Sequence, residues 1–147
     1  MSELAPLTQP EILEFAKAWY RKLDIHVPVD EYAPLLASDV ELRFPEATVK
    51  GFEGYSGWYD RVINIFFDEV HTVKEVTVKS ATAEKADVQV VVKWEASVWK
   101  APAANSERIV LDAYQTWEVK RSPETNKPVI SVYIVDELKY YEGSATL

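Results

Sequence analysis

The stretch DVQVVVKWEASV, residues 87–98, alternates with a period of two. Val88, Val90, Val92, Trp94, Ala96 and Val98 share one parity; Gln89, Lys93, Glu95 and Ser97 share the other, with Val91 the exception. Side chains two apart share a face of a strand, so residues 85–100 predict one long, half-buried strand. Residues 108–121 repeat the pattern. Ile109, Leu111, Ala113, Gln115, Trp117 and Val119 stand against Asp112, Thr116, Glu118 and Lys120. Residues 70–81 and 129–141 read as flanking strands. APAANSE (101–107) and SPETNKP (122–128) are turns by composition. The result is an antiparallel meander with one strongly apolar face, and that face needs a cover.

The N-terminal half supplies it. Thr8-Gln9-Pro10-Glu11 is a capping box with proline in the first turn. Ile12, Phe15, Ala16, Trp19 and Leu23 follow at helical spacing, which predicts an amphipathic helix over 10–24. Asp30 is read as the cap of a short helix over 31–37. DVELRF (39–44) is a short strand ended by Pro45, and residues 52–67 form a third helix after Gly51. Helices gathered on one face of an antiparallel sheet define an α+β fold. The expected architecture is one domain spanning 1–147, a cone-shaped curved, mainly antiparallel sheet wrapped around three N-terminal helices. A cavity remains wherever the helices do not fill the cone.

Composition narrows the function. Twenty-four acids against 16 Lys and Arg give a net charge of −8, which repels phosphate and argues against nucleic acid or an anionic membrane as partner. There is no cysteine, so disulfides and thiol chemistry are excluded. With no basic-then-apolar leader and no apolar run near 20 residues, a cytoplasmic protein is expected. His26 and His71, the two histidines, lie far apart, without a close carboxylate pattern. That is a poor metal signature. No phosphate-binding or nucleophile-elbow motif is present, and no cofactor is expected.

AWYRKL, YAPLLASDVELRFP, KGFEGYSGWYDRV and the paired strands VVVKWEASVW and DAYQTWEVKR together resemble the nuclear transport factor 2-like superfamily, in its SnoaL-like branch, over roughly residues 10–141. The resemblance implies a cystatin-like cone whose pocket serves isomerisation, dehydration, cyclisation or epoxide opening in some members and binding alone in others. Ketosteroid isomerases belong to the same superfamily, and the carboxyl tuning in that enzyme is a familiar worked case. Their oxyanion-hole tyrosine lines up with Tyr20 and its supporting tyrosine with Tyr59. Their two carboxyl positions fall on Phe44 and Gln115, so steroid isomerisation by that mechanism is rejected. The Asp–Arg–Asp set of limonene epoxide hydrolases is not assembled either.

Asp136 is then the acid that strand parity places inward, after Ile130, Val132 and Ile134. The expected catalytic pair is Asp136 as acid or base, with Tyr20 stabilising an oxyanion. Trp19, Phe44, Trp58, Tyr59, Trp94, Gln115 and Trp117 are the expected ligand-binding residues around a small apolar ligand. The alternative is a non-enzymatic interaction module. A homodimer through the sheet face is compatible with both; Trp99 and Tyr114, on the outward parity, mark that face mildly.

Overall fold

The computed structural model describes residues 5–147. Helix α1 (Gln9–Asp24) starts at the expected capping box: the Thr8 hydroxyl accepts from the Glu11 N–H and the Glu11 carboxylate accepts from the Thr8 N–H. It buries Ile12, Phe15, Ala16, Trp19, Tyr20 and Leu23, the larger of these contributing roughly 2 kcal/mol each through burial. A short 3-10 helix (Val29–Leu35) follows. Asp30 lies inside it and does not cap it; Pro28 holds the cap position without a side-chain bond. Helix α2 (Gly51–Ile65) comes after two short strands, β1 (Leu36–Arg43) and β2 (Thr48–Lys50). Gly51 sits at φ +68 at the strand-to-helix corner, a conformation glycine adopts without steric cost.

Four long strands complete the chain: β3 (Phe66–Ala81), β4 (Ala86–Val98), β5 (Glu107–Arg121) and β6 (Pro128–Tyr140). The six strands form one sheet in the order β2-β1-β6-β5-β4-β3. The β3–β6 meander is antiparallel, whereas β1 pairs with β6 in parallel. This is the expected α+β architecture: three helices against a mostly antiparallel sheet. Strand β2 is absent from the sequence reading because its three residues are too few to show a period. Arg121 near the end of β5 binds the Glu11 carboxylate with both terminal nitrogens at 2.8 Å and also donates to the Ala5 and Pro6 carbonyls. It clamps the start of α1 to the sheet and holds the Glu11 carboxyl below its usual range.

The β4–β5 pairing runs without interruption, so the alternation read from the sequence holds there. On β6 it does not. Val119 pairs with Ile130 but Glu118 pairs with Val132, leaving Ser131 as an extra residue. Gln115 pairs with Val135 but Tyr114 pairs with Glu137, leaving Asp136 as another. Each bulge flips the parity of the residues after it. Ser131 stabilises the first by donating to the Glu118 carbonyl and carboxylate. The inward residues are therefore Ile130, Tyr133, Val135 and Leu138, and Asp136 faces outward.

The narrow end of the cone is a plug of rings. Trp19 packs on Tyr32, Tyr55, Trp117 and Tyr133, with centroids 4.7–6.3 Å apart. Tyr59 packs on Tyr32 and Tyr55. Tyr32 donates to the Trp19 carbonyl (2.6 Å) and Tyr59 to the Val27 carbonyl (2.5 Å). The Tyr55 hydroxyl is sealed in the plug without a described partner. A buried unpartnered hydroxyl costs free energy. Tyr55→Phe is therefore expected to raise stability by about 1 kcal/mol, and Tyr32→Phe or Tyr59→Phe to lower it by a similar amount. Urea unfolding of the three variants checks this; a destabilised Tyr55→Phe would mean the hydroxyl has a partner.

Candidate functional site

Beyond the plug the cone is open. A cavity of about 310 Å³ lies between the inner sheet face, α2 and the end of α1. Val92, Leu111, Ala113, Val135 and Leu138 form its sheet side. Phe44 and Trp58 form one wall, stacked face to face with centroids 3.9 Å apart, and the Trp58 indole donates to Glu46. The lining is overwhelmingly apolar, with a few convergent polar groups, which is the make-up of small-molecule sites.

The expected ligand-binding residues divide into two sets. Phe44, Trp58, Trp94 and Gln115 line the cavity, as does Tyr20. Trp19, Trp117 and Tyr59 do not; they are buried in the plug. Trp19 lies one residue from Tyr20 on α1 and so faces a different direction, and Trp117 sits one inward position beyond Gln115, under the plug. Asp136 is turned outward by the shift of parity at Ser131. It is exposed, accepts a hydrogen bond from Thr116 at 2.7 Å on the outer face, and does not line the cavity. Trp99 lies past the end of β4, its indole donating to the Ala103 carbonyl, and the Tyr114 ring carries the Lys139 ammonium at 4.8 Å.

Tyr20, Gln115, Trp117 and Tyr133 form a buried polar network. The Tyr20 hydroxyl (2.9 Å) and the Trp117 indole N–H (2.8 Å) both donate to Gln115 Oε1. Indole is a donor only, so the atom facing it is the amide oxygen. The Gln115 NH2 group lies beside the cavity and next to the Tyr133 hydroxyl. Tyr20 has used its single proton, so Tyr133 donates to Tyr20 at 3.0 Å. Burial pushes the Tyr20 phenol well up and the Tyr133 phenol up to about 12. Both remain neutral hydroxyls at physiological pH.

The arrangement that sequence reading missed is a histidine–carboxylate pair. Asp24, the last residue of α1, accepts from His71 Nδ1 at 2.5 Å and from the His71 backbone N–H at 3.0 Å. His71 lines the cavity and is held between the rings of Tyr20 (4.7 Å) and Trp94 (6.1 Å), nearly parallel to both. Because Nδ1 donates to the carboxylate, the neutral imidazole carries its lone pair on Nε2. The two nitrogens lie on opposite sides of the ring, so Nε2 is directed away from Asp24. A carboxylate that fixes tautomer and orientation in this way makes imidazole a ready proton acceptor.

One signal was available. An Asp in the last turn of a helix opposes the macrodipole, and Asp24 stands four residues after Tyr20, on the same helix face. What sequence did not give is the inward turn of His71. β3 carries a bulge between Phe67 and Val70 where Asp68 adopts φ 50. It resets the parity so that Phe66, then Glu69, His71 and Val73 face inward. Among the described residues no cluster of three or more His, Cys, Asp or Glu is arranged to hold a metal ion, and no helix is long and apolar enough to cross a membrane.

No family model matches the chain, and no curated protein matches it in sequence. Solved structures do match in shape. A hexachlorocyclohexane dehydrochlorinase from Novosphingobium barchaimii superposes with a TM-score of 0.73 at 16% identity, covering 95% of this chain and 93% of that one. A candidate scytalone dehydratase from Novosphingobium aromaticivorans gives 0.70 at 16%, covering 93% and 89%. A protein of unknown function with a cystatin-like fold from Nostoc punctiforme gives 0.71 at 18%, covering 99% and 100%. The chain thus has the cystatin-like cone of the nuclear transport factor 2-like, SnoaL-like proteins, the fold its sequence resembles.

Proposed function

We propose that the protein is a cofactor-independent lyase that removes a proton and a leaving group from adjacent carbons of a small, largely apolar substrate. The observation that carries this is the Asp24–His71 pair at the wall of an apolar cavity. His71 Nε2 acts as general base. Asp24 holds the imidazole in place and stabilises the imidazolium that forms. The Gln115 NH2 receives a substrate carbonyl and the negative charge that grows on it, which acidifies the adjacent C–H. Tyr20 and Trp117 aim that amide through its oxygen. The expected acid, Asp136, has no part in this scheme. Tyr20 acts by orienting Gln115 and stacking on His71 rather than as an oxyanion donor.

Two fold neighbours support an elimination. One is named for removal of HCl and the other for removal of water. The test uses two probes that carry the required carbonyl: scytalone and an aryl β-hydroxy ketone. Each is incubated with the protein in the presence of a chelator, and the alkene product is followed. Turnover of at least one probe, unaffected by the chelator, is expected. If neither is turned over and neither raises the melting temperature, the reading fails.

A further inference from the structure

A second histidine–carboxylate pair lies beside the first, and elimination through His71 alone does not use it. Glu69, two residues before His71 on the same inward face of β3, lines the cavity. Its side chain is 2% exposed. Trp94 Nε1 donates to Oε1 at 3.1 Å, and His26 Nε2 meets Oε2 at 2.5 Å. The His26 side chain is 28% exposed, so the pair runs from the cavity wall to solvent. The helix ending and the strand bulge bring the two residues together: His26 closes α1, with the Val27 N–H bonded to the Lys22 carbonyl, and Asp68 sits in the β3 bulge. His26 has φ 51, and Asp68, beside Glu69, has φ 50. A buried carboxylate is costly unless it is paired, and placing one in a largely apolar cavity needs a reason.

We propose that Glu69 is the general acid of the elimination and His26 its relay to water, so that the group lost is a hydroxyl, leaving as water. This rests on the elimination reading. Hydroxide does not depart without a proton, whereas chloride departs as a stable anion and needs none. In the step, His71 Nε2 takes the α-hydrogen as a proton and the C–H electron pair becomes the C=C bond. Glu69 enters the step as the carboxylic acid, and the C–O bond breaks as its oxygen takes that proton, leaving the carboxylate. His26 Nε2 passes its proton to the Glu69 carboxylate as Nδ1 takes one from solvent, and the imidazole regains its Nε2–H form by proton exchange with water. The products are an alkene and water. His71 then releases its proton, and every group returns to its starting state.

The test compares leaving groups. The β-hydroxy and β-chloro forms of one aryl ketone are assayed with wild type, Glu69→Gln and His26→Gln, and spontaneous elimination is subtracted. Glu69→Gln is expected to lower kcat for the hydroxy ketone about 100-fold or more, with the chloro ketone changed less than about threefold. His26→Gln, a change at a positioning residue, is expected to show the same selectivity at roughly tenfold. Equal losses on both leaving groups, or a hydroxy-ketone rate unchanged in either variant, overturn the proposal. Wild type turning over the chloro ketone alone also overturns it. Wild type turning over neither ketone points instead to failure of the elimination reading. Circular dichroism confirms that each variant is folded.

Discussion

His71→Asn is expected to lower kcat on any turned-over probe by about 10²–10⁴-fold, the usual contribution of a general base. The loss falls on hydroxy and chloro leaving groups alike, because proton removal precedes or accompanies departure of either. That pattern separates His71 from Glu69. KM is expected to change little, since His71 contributes one ring to a wall made of many. Asp24→Asn is expected to reproduce much of the effect. The carboxylate accepts from Nδ1, and an amide that turns its NH2 toward the ring favours the tautomer with hydrogen on Nε2. Activity of His71→Asn within tenfold of wild type would remove the base from the mechanism and leave a binding cavity.

The second large effect is alkaline unfolding. Burial raises the phenols of Tyr20, Tyr32 and Tyr55 far above their ordinary value of 10.0 and that of Tyr133 to about 12. Below about pH 10 these groups are neutral in both the folded and unfolded states, and stability is unaffected by them. Above it the unfolded chain loses protons that the native state keeps, so stability falls as pH rises toward 12. Each withheld ionisation costs about 1.4 kcal/mol per pH unit, and four together remove roughly 5–6 kcal/mol per unit. A domain of this size holds about 5–15 kcal/mol. Cooperative unfolding is therefore expected within one or two pH units above 10. Tyrosinate absorbance and near-ultraviolet circular dichroism, followed together, decide it. The absorbance of these four rings should appear only as tertiary signal is lost. Smooth ionisation near pH 10 with the signal intact would mean that water reaches the plug.

Much of the fold is legible in the sequence because its signals are local. The capping box, the spacing Ile12-Phe15-Trp19-Leu23 and the alternation along 86–98 and 107–121 each depend on neighbours in the chain, and the structure follows them to within a few residues. The cavity's apolar wall is partly legible for the same reason: Phe44, Trp58, Trp94 and Gln115 line it. The histidine–carboxylate centre is not. Counting in twos from Ile130 selects Asp136, and the count is invalid past Ser131. A bulge depends on how two strands match across the sheet, which neither strand records by itself. His71 reads in sequence as an ordinary residue near the start of a strand. Its partner Asp24 lies 47 residues away, a separation no motif spans.

The sequence by itself determined the element order, the apolar sheet face and the absence of carboxyls at positions 44 and 115, because these depend on residue type and short-range periodicity. Tertiary structure alone decided which acids and histidines meet. Bulges in β3 and β6 turned Glu69 and His71 inward and Asp136 outward, and the end of α1 came to rest where Asp24 reaches an imidazole. The physical reason is that one extra residue in a strand reverses every later side chain, while the register that requires it is set by packing between distant segments.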